Sequence, residues 1–172
     1  PMRGAVTWKS VVGTNVASDA LSNLASAGVI GGALIVVGED YGAGASVIQE
    51  RTHAFALKSS LLLFDPRPEL QNLAHMVEEA FAMSEVSSLP AVISLRIRTA
   101  HMRGTMVCRD NVRPAVSMRD RLSAHSFDYA RLSHPPSTYA QEAQKFERRL
   151  PAARRFITER RHNEIVPGER AD

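Results

Sequence analysis

Two stretches of this sequence carry residues whose types and spacing suit ligand chemistry. The first, Lys9–Asn15 (KSVVGTN), sets an ammonium, two hydroxyls and a carboxamide around Gly13. The second runs from Glu39 to Arg51 (EDYGAGASVIQER) and opens on an acidic pair followed by Tyr41. Glu39-Asp40 at a strand end suits acid–base work or the binding of an amine; the competing reading is a solvated strand terminus. The Gly-rich run Gly38–Gly44 lacks the Lys-Ser/Thr ending of a Walker A loop and does not open a helix after a first strand, so neither phosphate fingerprint applies. It also reads as a flexible connection. Arg51 offers a bidentate fork, and a structural ion pair with Glu50 or Glu39 is the alternative. His53 follows in the same loop, where a lone histidine also reads as structural or solvated. The six histidines lack HxxxH or HExxH spacing, and no G-x-S-x-G elbow is present. Cys108, the single cysteine, reads as a small packed residue, and it excludes an internal disulfide or an all-cysteine cluster site.

Those stretches need elements to position them. Gly4–Trp8 leans towards strand. Thr14 or Asn15 is placed to cap a helix carrying Val16, Ala20, Leu21 and Leu24 and ending at Gly28. Ala33–Val37, Ser60–Phe64 and Ala91–Ile97 are continuous apolar runs, typical of strands buried on both faces. A helix is expected from Pro68, with Leu70, Leu73, Ala74, Val77, Ala80 and Phe81 as its stripe. This alternation predicts an α/β fold with a parallel sheet, and both chemical stretches then fall beyond carboxyl ends of strands, where such sheets gather ligands. Residues 1–99 read as the α/β domain, 100–137 as an extended arm, and 138–172 as a helical C-terminal extension interrupted near Pro151.

Of the 172 residues, 44% are hydrophobic and 23% charged, enough apolar content for a core. Residues 1–95 hold 5 Lys and Arg against 9 Asp and Glu, whereas residues 96–172 hold 16 against 9. The basic half is Arg mixed with Glu without interleaved aromatics, which argues for solvated helix faces rather than nucleic acid. No membrane-spanning run and no secretory signal is visible, so a cytoplasmic setting is expected. The sequence opens at Pro1 rather than methionine, which predicts a piece of something longer.

Ala5–Asp40 resembles the pyrimidine-binding domain of 2-oxoacid:ferredoxin oxidoreductases, and more narrowly of indolepyruvate ferredoxin oxidoreductases. The residues that carry the resemblance are Lys9, Val11 or Val12, Gly13, Asn15-Val16-Ala17, Asp19 and Leu21, then Gly31-Gly32, Ile35-Val36-Val37 and the acidic pair. Gly38–Ala56, Asp65-Pro66-Arg67-Pro68, His134–Thr138 and Arg149–Ile157 point the same way. The resemblance implies oxidative decarboxylation of an arylpyruvate to an acyl-CoA, with thiamine diphosphate and magnesium bound jointly with other domains. Iron–sulfur clusters and coenzyme A would lie elsewhere in the enzyme, with ferredoxin as acceptor. It assigns Lys9, Ser10, Gly13, Thr14, Asn15, Glu39, Asp40 and Tyr41 to the cofactor side. Arg51 and His53 are the catalytic candidates, Arg51 for a substrate carboxylate or a coenzyme A phosphate.

The family's glutamate against the aminopyrimidine lies upstream of the Lys9 stretch and is missing here, as are the G-D-G run ending in Asn-Asn and the cluster cysteines. The chain alone is therefore expected to be inactive: a fragment, a split subunit or a degenerate remnant. Other domains or subunits of the oxidoreductase are the expected partners, in a homo- or hetero-oligomer. The alternative is a non-catalytic structural or interaction module that keeps the α/β core. An incomplete sheet would expose an edge, which favours association.

Overall fold

The apolar runs form the strands of one sheet. A computed structural model describes residues 2–40, 48–49, 51–112, 127–165 and 167–168. Strands β1 (Gly4–Lys9), β2 (Ala33–Glu39), β3 (Leu62–Phe64) and β4 (Ala91–Arg96) lie in the order β1-β2-β4-β3, and every pair is parallel. Parallel strands need crossover helices, and α1 (Ser18–Ala27), α2 (Thr52–Ser59) and α3 (Leu70–Ser87) supply them. The α/β class expected from the sequence is the class observed.

The pleat sends alternate residues to opposite faces. Leu34, Ile93 and Phe64 pack against Ala80 and Met83 of α3 on one face. Ile35, Val37 and Val92 pack against Leu21 and Ala25 of α1 and Ala56 of α2 on the other. The first face also takes Leu150, Ala153 and Phe156, so the C-terminal helix belongs to the same core as the sheet. After a short α4 (Ile97–Ala100) and a 3-10 turn at Tyr129–Arg131, α5 (Ser137–Gln144) leads through a π-helical turn (Lys145–Arg149) into α6 (Leu150–Arg160). Pro151 stands in the first turn of α6, directly after the π-helical turn. The helical path is carried past the expected interruption by αR residues at Gln144, Lys145 and Arg149.

Gly28 ends α1 with φ +74, as the sequence suggests for a helix stop. Helix α2 was not legible in the sequence; the stretch around His53 reads there as loop. Residues 102–112 carry no helix or strand.

Candidate functional site

Lys9, which opens the first chemical stretch, and Glu39-Asp40, which open the second, meet at the carboxyl end of the sheet. β1 and β2 are parallel neighbours, with Lys9 opposite Gly38. Lys9 Nζ reaches Asp40 Oδ2 at 2.9 Å, tying the two strand ends together. Glu39 is 3% exposed, and its Oε1 accepts a hydrogen bond from the backbone N–H of Thr52 at 2.6 Å. That bond satisfies a donor in the first turn of α2, which has no side-chain cap, and a carboxylate there also suits the helix dipole.

Lys9–Asn15 is not an open loop. Ser10–Thr14 winds into a π-helical turn directly after β1. Thr14, 1% exposed, accepts from Trp8 Nε1 at 3.0 Å. Gly13 lies under the Trp8 side chain, where a Cβ would collide with it. Asn15 donates to Val11 O at 2.9 Å. Thus Gly13, Thr14 and Asn15 shape the turn, while Ser10 is buried at 1% with its hydroxyl unpartnered.

Among the described residues, Ser10 is one of five at this end with a buried polar atom that has no hydrogen-bond partner. The others are Glu39 (Oε2), Asp40 (Oδ1), Thr52 (Oγ1) and Ser94 (Oγ). Ser94 is paired across the strands with Val37, so it shares a sheet face with Glu39. Each such atom costs about 1–3 kcal/mol when left unsatisfied, and native proteins hold few of them. Their concentration at one end of the sheet makes that end the candidate site. The set is rich in hydroxyl and carboxylate oxygen, which suits an amino-bearing or cationic group.

The remaining sequence-stretch residues fall differently. Tyr41 lies outside the described residues. Arg51 is exposed at the position preceding α2. His53 sits on α2 and lines a groove of about 940 Å³ beside β3, with Leu61–Arg67, His162 and Glu164. It does not join the buried polar set. Ser94 and Thr52 were not singled out in the sequence. The signal for Ser94 was available: it is the one polar residue within Ala91–Leu95, a run buried on both faces. Among the described residues, no group of three His, Cys, Asp or Glu side chains could hold a metal ion. No helix among them is long and apolar enough to cross a membrane.

Comparison with known proteins adds a lineage to this geometry. Over 103 residues the chain is 31% identical to the indolepyruvate oxidoreductase subunit IorA of Pyrococcus horikoshii and 32% identical to that of Pyrococcus abyssi. The chain is similar to IorA over part of its length. The subunit of Methanothermobacter thermautotrophicus is 30% identical over 100 residues. The IorA matches from Pyrococcus take in 60% of this chain but only 16% of each subunit's length. No family model matches the chain, and no solved structure matches it at a significant level.

Proposed function

We propose that this chain is a segment of an indolepyruvate oxidoreductase subunit and contributes the carboxyl end of its sheet to a thiamine diphosphate-dependent 2-oxoacid:ferredoxin oxidoreductase. The observation that carries the reading is the similarity to IorA subunits. The buried polar atoms indicate where in the segment a ligand would sit.

The fit of thiamine diphosphate to these residues is partial and specific. Glu39 Oε2, Asp40 Oδ1 and the Ser10, Thr52 and Ser94 hydroxyls suit the amino-bearing and cationic rings. The one nearby ammonium, Lys9, is paired with Asp40, so the diphosphate and its magnesium would be held by another domain. When bound, the cofactor supplies the electron sink for decarboxylation of a 2-oxoacid. This chain's part is to position. Glu39 is anchored through Oε1 to Thr52 N–H, which leaves Oε2 to accept a hydrogen bond from the ligand. The Lys9–Asp40 pair holds β1 and β2 in register at the rim. The π-helical turn, packed on Trp8, fixes the Ser10 hydroxyl. Electrons leaving the site would pass to iron–sulfur clusters and ferredoxin outside this chain.

The second reading, a non-catalytic interaction module, is favoured by Lys9 and Asp40 spending their charges on each other. A thiamine diphosphate titration of the intact enzyme separates the two. Ser94→Ala removes a hydroxyl with no protein partner, so it should leave the unfolding midpoint unchanged or raised. The same change, and Glu39→Gln, should weaken thiamine diphosphate binding by about tenfold, the loss expected for one buried hydrogen bond. Unchanged affinity in both variants would refute the enzyme reading.

A further inference from the structure

A second polar concentration lies at the opposite, amino end of the sheet. The end of α1, the residue after α3 and the α5–α6 helical path enclose a cleft of about 310 Å³ there, lined by Ala27, Ser88, Asp128, Arg131, Arg148 and Arg149 among others. We infer that this cleft binds a phosphate or diphosphate group.

Arg149 makes the case. It is 8% exposed as a residue. Its hydrogen bonds all go to carbonyls: Nη1 to Ala25 O at 3.4 Å and Ser26 O at 2.8 Å, and Nη2 to Gln141 O at 3.0 Å. Among the described residues no carboxylate forms an ion pair with Arg149 or Arg148, and Arg131 has one, Asp128, at 3.2 Å. Glu142, the nearest acidic influence on Arg149, is taken by Lys145 at 2.6 Å. The carboxyl end of α1 offers Arg149 the equivalent of about half a negative charge. Three guanidinium groups against one carboxylate and the α1 helix end thus leave the cleft with a surplus of about 1.5 positive charges. Burial, and then the charge of Arg131, hold the Arg149 pKa below its ordinary value. A buried cation lacking a full counter-charge is costly, and an anion in the cleft removes that cost.

The chemistry selects phosphate over a lone carboxylate. A phosphate monoester carries about 1.5–2 negative charges near neutral pH, which matches the surplus. Planar guanidinium forks grip its oxygens in pairs. The three carbonyls already fix the orientation of Arg149, so little ordering entropy remains to be lost on binding. The volume falls at the lower end of small-ligand sites, room for more than a bare ion. This inference does not rest on the oxidoreductase reading, whose site is at the other end of the strands.

Calorimetric titration of the intact protein with pyrophosphate and with inorganic phosphate tests it, at constant ionic strength and with magnesium chelated. Saturable binding is expected, weakened about tenfold or more by Arg148→Gln, since losing a charge-assisted pair costs about 1.5–3 kcal/mol. Arg131→Gln should weaken it similarly. Arg154→Gln, on the exposed side of α6, should leave it unchanged. Tighter binding of pyrophosphate assigns a diphosphate, and equal affinity a monophosphate. Arg148 is exposed, so its replacement does not endanger folding. The inference is overturned by an absence of saturable binding, or by an affinity that Arg148→Gln and Arg131→Gln leave within twofold.

Discussion

His162 is enclosed by the rings of Phe64, Phe156 and His75, with 7% of its side chain exposed. Its Nε2 stands 3.1 Å from Glu79 Oε2, at ion-pair distance, but neither atom attains hydrogen-bond geometry. Arg160 approaches the other oxygen of Glu79 at 3.4 Å. Burial lowers the His162 pKa; Glu79 works to raise it, and the His75 and Arg160 charges work to lower it. The unfolded chain should titrate near 6.5, above the folded value. Between the two values the unfolded state binds more protons, so stability rises with pH. The contribution is complete above about pH 7 and is lost as pH falls through the folded value. Urea unfolding midpoints should therefore decline from pH 7 towards pH 5, and His162→Gln should flatten that decline. A further acid limb should survive in the variant. It comes from Glu85 and Glu142, whose pKa values lie below 4.5: Glu85 through its hydrogen bonds from Arg3, Glu142 because its bonds from Lys145 and Ser26 outweigh burial. An unaltered slope between pH 5 and 7 in the variant would remove His162 from the account.

At the scale of elements, β2, β3 and β4 were legible because each is built on a mostly apolar run, as strands covered on both faces are, whereas the edge strand β1 shows only a β-leaning run. Their carboxyl ends then located Glu39, Asp40 and Ser10. Helix α2 was hidden because it is eight residues long, lacks a side-chain cap and follows a Gly-rich stretch. The place of α6 was hidden for another reason. Leu150, Ala153 and Phe156 form a narrow apolar stripe between arginines, and composition reports the arginines. Whether such a helix covers its own sheet or a neighbour's is a tertiary choice, settled by packing against Phe64 and Met83 that sequence spacing does not reveal. The packing gives a quantitative expectation. Phe156→Ala should destabilise the domain by about 3–5 kcal/mol, the range for removing a buried aromatic. Arg155→Ala, one residue earlier and exposed, should change it by less than about 0.5 kcal/mol. Equal and small effects of both in denaturant unfolding would mean that α6 is an appendage.

At the scale of the whole molecule, the sheet has an edge at β1 and another at the three-residue β3, and the β1 edge is the longer. The order β1-β2-β4-β3 places β1 outermost, and among the described residues no strand pairs with its other side. Every β1 residue but Trp8 is exposed, Val6 by 46%. The strand GAVTWK holds no proline, bulge or inward charge within Ala5–Trp8, so none of the usual protections of an edge is present there. In a larger oxidoreductase subunit such an edge is a seam for further structure. In the chain expressed by itself it is a template for a second copy, and two such edges related by a two-fold axis would pair antiparallel. The 18.8-kDa chain should therefore sediment at micromolar concentration as a dimer or larger species. A lysine on the edge is the natural remedy, because pairing would bring like charges together and strip their water. Val6 is the position for it, since its exposed side chain stands midway along the strand. Val6→Lys should shift the sedimentation coefficient towards the monomer. It should do so while changing the unfolding free energy of the monomer by less than about 0.5 kcal/mol, as for other exposed positions. A chain that is already monomeric, or one that associates equally with lysine at residue 6, would place the contact elsewhere than at β1.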